Sequence, residues 1–164
     1  MLPVLATIVT FTILSLPGVR SQYAYSQSND TNTTSNVSGT GVDMIDIHPS
    51  PSNVKAGSNF ELLATVVNNL PDTIMLPAGR CDSPLTAFFM RNVIIRQDQF
   101  QGCTATSSPF ELNQGEEVTV AGPVPGTIYQ AIKAGKTPAT VTVYYLTENG
   151  QPGNVTKPFV FTIG

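Results

Sequence analysis

Phe60-Glu-Leu-Leu-Ala-Thr-Val-Val-Asn68 is the stretch that decides the fold of this chain. Phe60, Leu62, Ala64 and Val66 recur at every second position, with Glu61 and Thr65 between them. A two-residue period places those four side chains on one side of an extended strand, whereas a helix would scatter them around its circumference. The same period returns near the end of the chain. Between Pro138 and Thr147, Ala139, Val141, Val143 and Tyr145 face one way and Thr140, Thr142 and Tyr144 the other. From Val155 to Ile163, Phe159, Phe161 and Ile163 share a face. Strands that are apolar on one side must bury that side against another layer, which calls for two facing sheets.

Shorter candidates fill the space between. Val42 to His48 reads as a first strand ended by Pro49-Ser-Pro51, and Ser52 to Gly57 as a turn. Asn68 to Asp72 is a second turn, followed by strands at Thr73–Leu76, Thr86–Met90, Val93–Gln97, Pro109–Leu112 and Glu116–Ala121. Phe88-Phe89 must straddle its strand, one ring in the core and the other at an exposed edge. Gly122-Pro-Val-Pro-Gly126 reads as a rigid loop, and Glu148 to Gly153 as a hairpin loop. One helix is expected near 127–134. Thr127 suits its N-terminus, Ile128, Ala131 and Ile132 share a helical face, and Gly135 suits its end. The expectation is an all-β, antiparallel sandwich of seven to nine strands with one short helix, formed by residues 42–164 as a single domain.

The first forty residues differ in kind. Residues 2–17 read LPVLATIVTFTILSLP, shorter than the about 20 apolar residues of a membrane span. With small residues at cleavage spacing behind it, residues 1–26 read as a secretory signal peptide cut after Ser21 or Ser26, or as an N-terminal anchor if uncut. The segment before the apolar run lacks Lys and Arg, which favours the anchor; the run's short length favours cleavage. Residues 27–41 hold one apolar side chain, Val37, and read as a disordered Ser/Thr/Asn-rich tether. Asn29, Asn32 and Asn36 there, and Asn154 later, begin N-glycosylation sequons. No second apolar run of membrane length follows, so any membrane contact is expected through an uncleaved N-terminal segment. The expected location is extracellular or at the cell surface.

Loss of residues 1–26 removes one base, Arg20, and no acid, leaving seven bases against 11 acids and a net charge of −4. That balance argues against a nucleic-acid partner, whose phosphates demand clustered cations. In an exported chain, Cys81 and Cys103 are expected to form a disulfide that stabilises by roughly 3 kcal/mol on the chain-entropy account. Chemistry is hard to find. His48 is the single histidine, beside Pro49 at the end of a strand, and there is no Gly-x-Ser-x-Gly. A blue-copper centre needs two His and a Cys, and zinc fails for the same want of ligands. Asp43, Asp46 and Glu148 are too scattered to be read as a calcium site. Glu116-Glu117 reads as a charged turn edge. Arg80, Arg91 and Arg96 either face one partner or, the preferred reading, solubilise the surface. No catalytic residue, cofactor or metal is expected.

The order Val42…Pro49-Ser-Pro-Ser-Asn-Val-Lys-Ala-Gly57…Phe60…Ala64-Thr-Val-Val-Asn-Asn69 resembles the opening of secreted immunoglobulin-like modules of the cell-adhesion-related (CARDB-type) kind. Leu112, Gly115 and Glu116 look like the Leu-x-x-Gly-Glu turn of these modules and of proteinase-inhibitor-type sandwiches. The resemblance implies an immunoglobulin-like sandwich and carries no functional residue with it. The absent Trp and the mid-domain cysteine pair exclude an antibody-type domain. The functional expectation is a non-enzymatic module that binds through loops or sheet edges. Its expected partners are an envelope protein, a surface glycan or copies of itself by strand addition. The alternative is an extracellular proteinase-inhibitor-like sandwich using 122–126 or the cysteine loop.

Overall fold

The computed structural model describes residues 41–77, 83–98 and 108–164. These form ten strands in chain order: β1 (Val42–Ser50), β2 (Asn59–Asn68), β3 (Ile74–Leu76), β4 (Leu85–Phe89), β5 (Val93–Gln97), β6 (Phe110–Leu112), β7 (Glu117–Gly122), β8 (Thr127–Ala131), β9 (Gly135–Thr147) and β10 (Pro152–Ile163). All pairings are antiparallel. Each sheet is built on one long strand. β2 pairs with β1 along one side and with β7 and then β8 along the other, and β8 carries β5. β9 pairs with β10 on one side and with β4 and β3 on the other, and β3 carries β6. The two sheets form the expected antiparallel β-sandwich, with ten strands among the described residues where seven to nine were expected.

The alternating residues of β2 and β9 supply the core, with Leu62, Ala64 and Val66 facing Val141 and Val143, all fully buried. At one end the rings of Phe60, Phe89, Tyr129 and Phe161 meet, with centroids 4.9–6.3 Å apart. Each such buried ring stabilises by about 1.5–3 kcal/mol, and edge-on contacts add to that. At the other end Asn68 is buried and fully bonded. Its Nδ2 donates to the carbonyls of Asp72 and Leu112, and its Oδ1 accepts from Leu70 N–H, each at 2.9 Å. That side chain closes the β2–β3 turn against β6.

The sheets are stitched along both sides. On one, Lys157 of β10 pairs with Asp43 of β1 at 2.7 Å, and Gly164 exchanges backbone bonds with Val54 and Ala56. On the other, Ser83 Oγ donates to the Ala121 carbonyl, and Gly122 lies against Leu85. Glycine is required there: a Cβ would stand 2.4 Å from Leu85 Cδ2 and 2.8 Å from its carbonyl oxygen.

The helix expected near 127–134 is not present; Thr127–Ala131 is strand β8. Tyr129 and Ala131 alternate inward, between β2 and β5, which bond it on both sides. The β-forming Thr-Ile-Tyr run and two waiting ladders outweigh a three-residue apolar spacing in so short a segment. Thr127 Oγ1 donates to the Val124 carbonyl at 2.6 Å, so it ties down the preceding turn and starts no helix. β1 runs on through Pro49 because the nitrogen of Pro49 lies on the free edge, where no bond is lost.

Candidate functional site

The described residues gather no catalytic constellation. His48 is exposed, with Nδ1 2.9 Å from Asp46 Oδ2 on the outer face of β1. No group of three or more metal-ligating side chains comes together among the described residues. Glu116 Oε2 accepts from Asn113 N–H at 2.8 Å, the bond that shapes the turn into β7. Cys81, Cys103, Arg80 and the sequons at Asn29, Asn32 and Asn36 lie outside the described residues. Asn154 is exposed on β10. The 122–126 loop is half-buried and bonded down: Val124 O accepts from Thr127, and Gly126 O from Asp98 N–H at 2.8 Å. It borders a cleft of about 400 Å³ with Ser50, Phe60, Glu61 and Ile128 on its walls.

The sheet edges differ among themselves, and the differences follow from backbone parity. Pro158 lies in the β9–β10 ladder without a donor, so the even-numbered residues of β10 aim their N–H groups at the free edge. Pro152 and Pro158 interrupt that row, and the Val54–Ala56 segment covers its end. On β1, Pro49 and the irregularity between Met44 and Asp46 break the edge. These are the devices by which sheets refuse further strands.

Among the described residues, β5 has none of them. Ala131 N–H donates to Ser58 O, and Ile132 N–H donates to Asn92 O, so even residues of β8 face β5. Ile94 and Arg96 therefore bond to Gln130 and Ile128, while Val93, Ile95 and Gln97 turn their N–H and C=O groups outward. The strand reads Val-Ile-Ile-Arg-Gln, without proline or carboxylate. Ile95 shares the inward side with Tyr129, yet it overhangs the core at 53% exposure. Arg96 Nη1 donates to Gln130 Oε1 at 3.0 Å and lies flat along the outer face. Val93–Gln97 is legible in the sequence as an apolar strand. That it lies at an edge is not, because its pairing depends on β8, which the sequence disguises as a helix.

The outward face of the β9 sheet is uncharged at its centre. Phe88, Thr140 and Pro158 form one row across β4, β9 and β10, and Thr86, Thr142 and Thr156 the next. Phe88 is 67% exposed and Phe89 is buried, as the straddling pair requires.

No protein-family model matches this chain, and no curated protein does. Among solved structures, the chain is similar to the GAE domain of GGA2p from Saccharomyces cerevisiae, with 9% identity and a TM-score of 0.39 over 77% of this chain and 92% of that one.

Proposed function

We propose that this chain is an exported, non-enzymatic module of the cell surface or extracellular space that binds by accepting an extended strand along β5. The apolar 2–17 run and the sequon-rich 27–41 segment support the location. The observation that carries the binding mode is the edge at Val93, Ile95 and Gln97, which no described strand pairs: three outward backbone pairs flanked by exposed Ile94 and Ile95. Strand addition satisfies such groups, and alternate side chains set its selectivity.

A second copy supplies a fitting strand. Antiparallel pairing centred on Ile95 sets Val93 against the second copy's Gln97, and Arg96 against its Ile94. All outward groups then bond, and no two arginines meet. Light scattering across a concentration series tests this, beside capture of envelope proteins by the immobilised chain. Ile95→Pro removes the outward N–H without touching the β8 ladder. In a symmetric pair it deletes two bonds, about 2 kcal/mol, and weakens association about thirtyfold. A chain that stays monomeric at high concentration and retains no envelope protein contradicts the proposal.

A further inference from the structure

Two turns meet at the end of the sandwich that carries Gly164. Met90–Asn92 joins β4 to β5, and Ile132–Ala134 joins β8 to β9. Ile132 N–H donates to Asn92 O at 2.7 Å. Arg91 Nε and Asn92 Nδ2 both donate to the Lys136 carbonyl at 3.1 Å, and Asn92 Nδ2 also reaches Thr137 Oγ1. Asn92 holds φ 65, a left-handed conformation that asparagine tolerates. The two turns thus make one stitched tip around a dimple of about 270 Å³, lined by Arg91, Asn92, Lys133, Ala134, Gly135 and Lys136.

In an acidic protein this tip is locally basic. It holds three of the six Lys and Arg side chains among the described residues, and no carboxylate lines it. None of the three makes an ion pair with a described residue. Beside them in the chain, Met90 and Ile132 stand 68% and 53% exposed at the two turns.

We propose that this tip docks onto an anionic lipid surface. Arg91, Lys133 and Lys136 meet headgroup phosphates, and Met90 and Ile132 enter the boundary with the acyl chains. A soluble anion would use the cations alone; the paired apolar tips select a bilayer, whose interface offers charge and hydrocarbon together. Gly41 lies at the opposite end of the sandwich, where its carbonyl accepts from Asn69 N–H.

The chain contains no tryptophan, so Ile132→Trp introduces a single indole reporter at the tip. The experiment titrates the full chain carrying this change with phosphatidylcholine vesicles containing about one-third phosphatidylglycerol, and with pure phosphatidylcholine. The expected result is a blue-shifted emission with anionic vesicles only, lost at high salt. Each cation near such a surface is worth about fivefold in partitioning. Adding Lys133→Glu and Lys136→Glu is therefore expected to weaken the response at least twenty-five-fold. Adding Met90→Ser weakens it further, and Ile95→Pro leaves it unchanged. An emission that does not shift, that shifts equally with neutral vesicles, or that survives the two lysine changes overturns the proposal. So does an equal shift with heparin, which would mark a polyanion site without lipid. Because the reporter sits on the tip and Ile95→Pro on the edge, either result stands or falls without the other.

Discussion

Tyr129 joins the two layers through one atom. Its hydroxyl accepts from the Ala87 N–H at 3.1 Å, so a side chain from β8 satisfies the outward donor of β4, which no described strand covers. Burial pushes the phenol from 10 up to about 12, and the bond from Ala87 opposes part of that rise. The folded-state value exceeds the unfolded one, so the contribution is whole below pH 10. It is lost as pH climbs from about 10 to about 12, where the unfolded chain releases a proton that the folded chain keeps. Two units correspond to about 2–3 kcal/mol. Urea unfolding at pH 8 and at stepped values up to 11.5 should show this decline. Tyr129→Phe should flatten that part of the profile while costing about 1–3 kcal/mol at pH 8, because it leaves the Ala87 donor buried and unpaired. A variant as stable as the parent at pH 8 would show that the bond contributes nothing.

At the scale of elements, β7 approaches β4 closely at Gly122. Gly122→Ala forces a methyl against Leu85, and the carbonyl oxygen of Leu85 cannot swing aside as a side chain would. The expected cost is about 2 kcal/mol in denaturant unfolding. Adding Leu85→Ala removes the clashing Cδ2 but leaves the oxygen, so the double variant should not recover. The inward sides of β2 and β9, and that of β10 from Phe159 to Ile163, are legible in the sequence because burial on one face writes a two-residue period there. β8 is too short for that. In Thr127–Ala131 and the Ile132 beyond, apolar residues at 128, 131 and 132 also fit a helix, and only the ladders of β2 and β5 decide between them. The candidate edge was hidden for this reason, since among the described strands β5 is held by β8 alone. The basic tip was hidden for another. Arg91 stood out in the sequence, but Lys133 and Lys136 join it only because β4–β5 and β8–β9 turn at the same end.

For the whole molecule, the strands that carry stability differ from the one proposed to bind. Through their middle stretches β2 and β9 are bonded on both sides, and their inward residues make the core. β5 is bonded on one side and packs few side chains inward. Amide hydrogen exchange separates the two classes, because protection spans the range from local fraying to global unfolding. The amides of Leu62–Val67 and Ala139–Val143 should exchange only with global unfolding. Those of Val93, Ile95 and Gln97 are bonded to no described strand and should exchange fast, while Ile94 and Arg96 beside them are slowed by β8. This alternation carries the functional test. If a second strand docks on β5, raising the protein concentration should slow Val93, Ile95 and Gln97 selectively and leave Ile94 and Arg96 as they were. Uniform protection along β5 at low concentration would mean that its outward groups are already covered within one chain, and the edge would be closed to any partner.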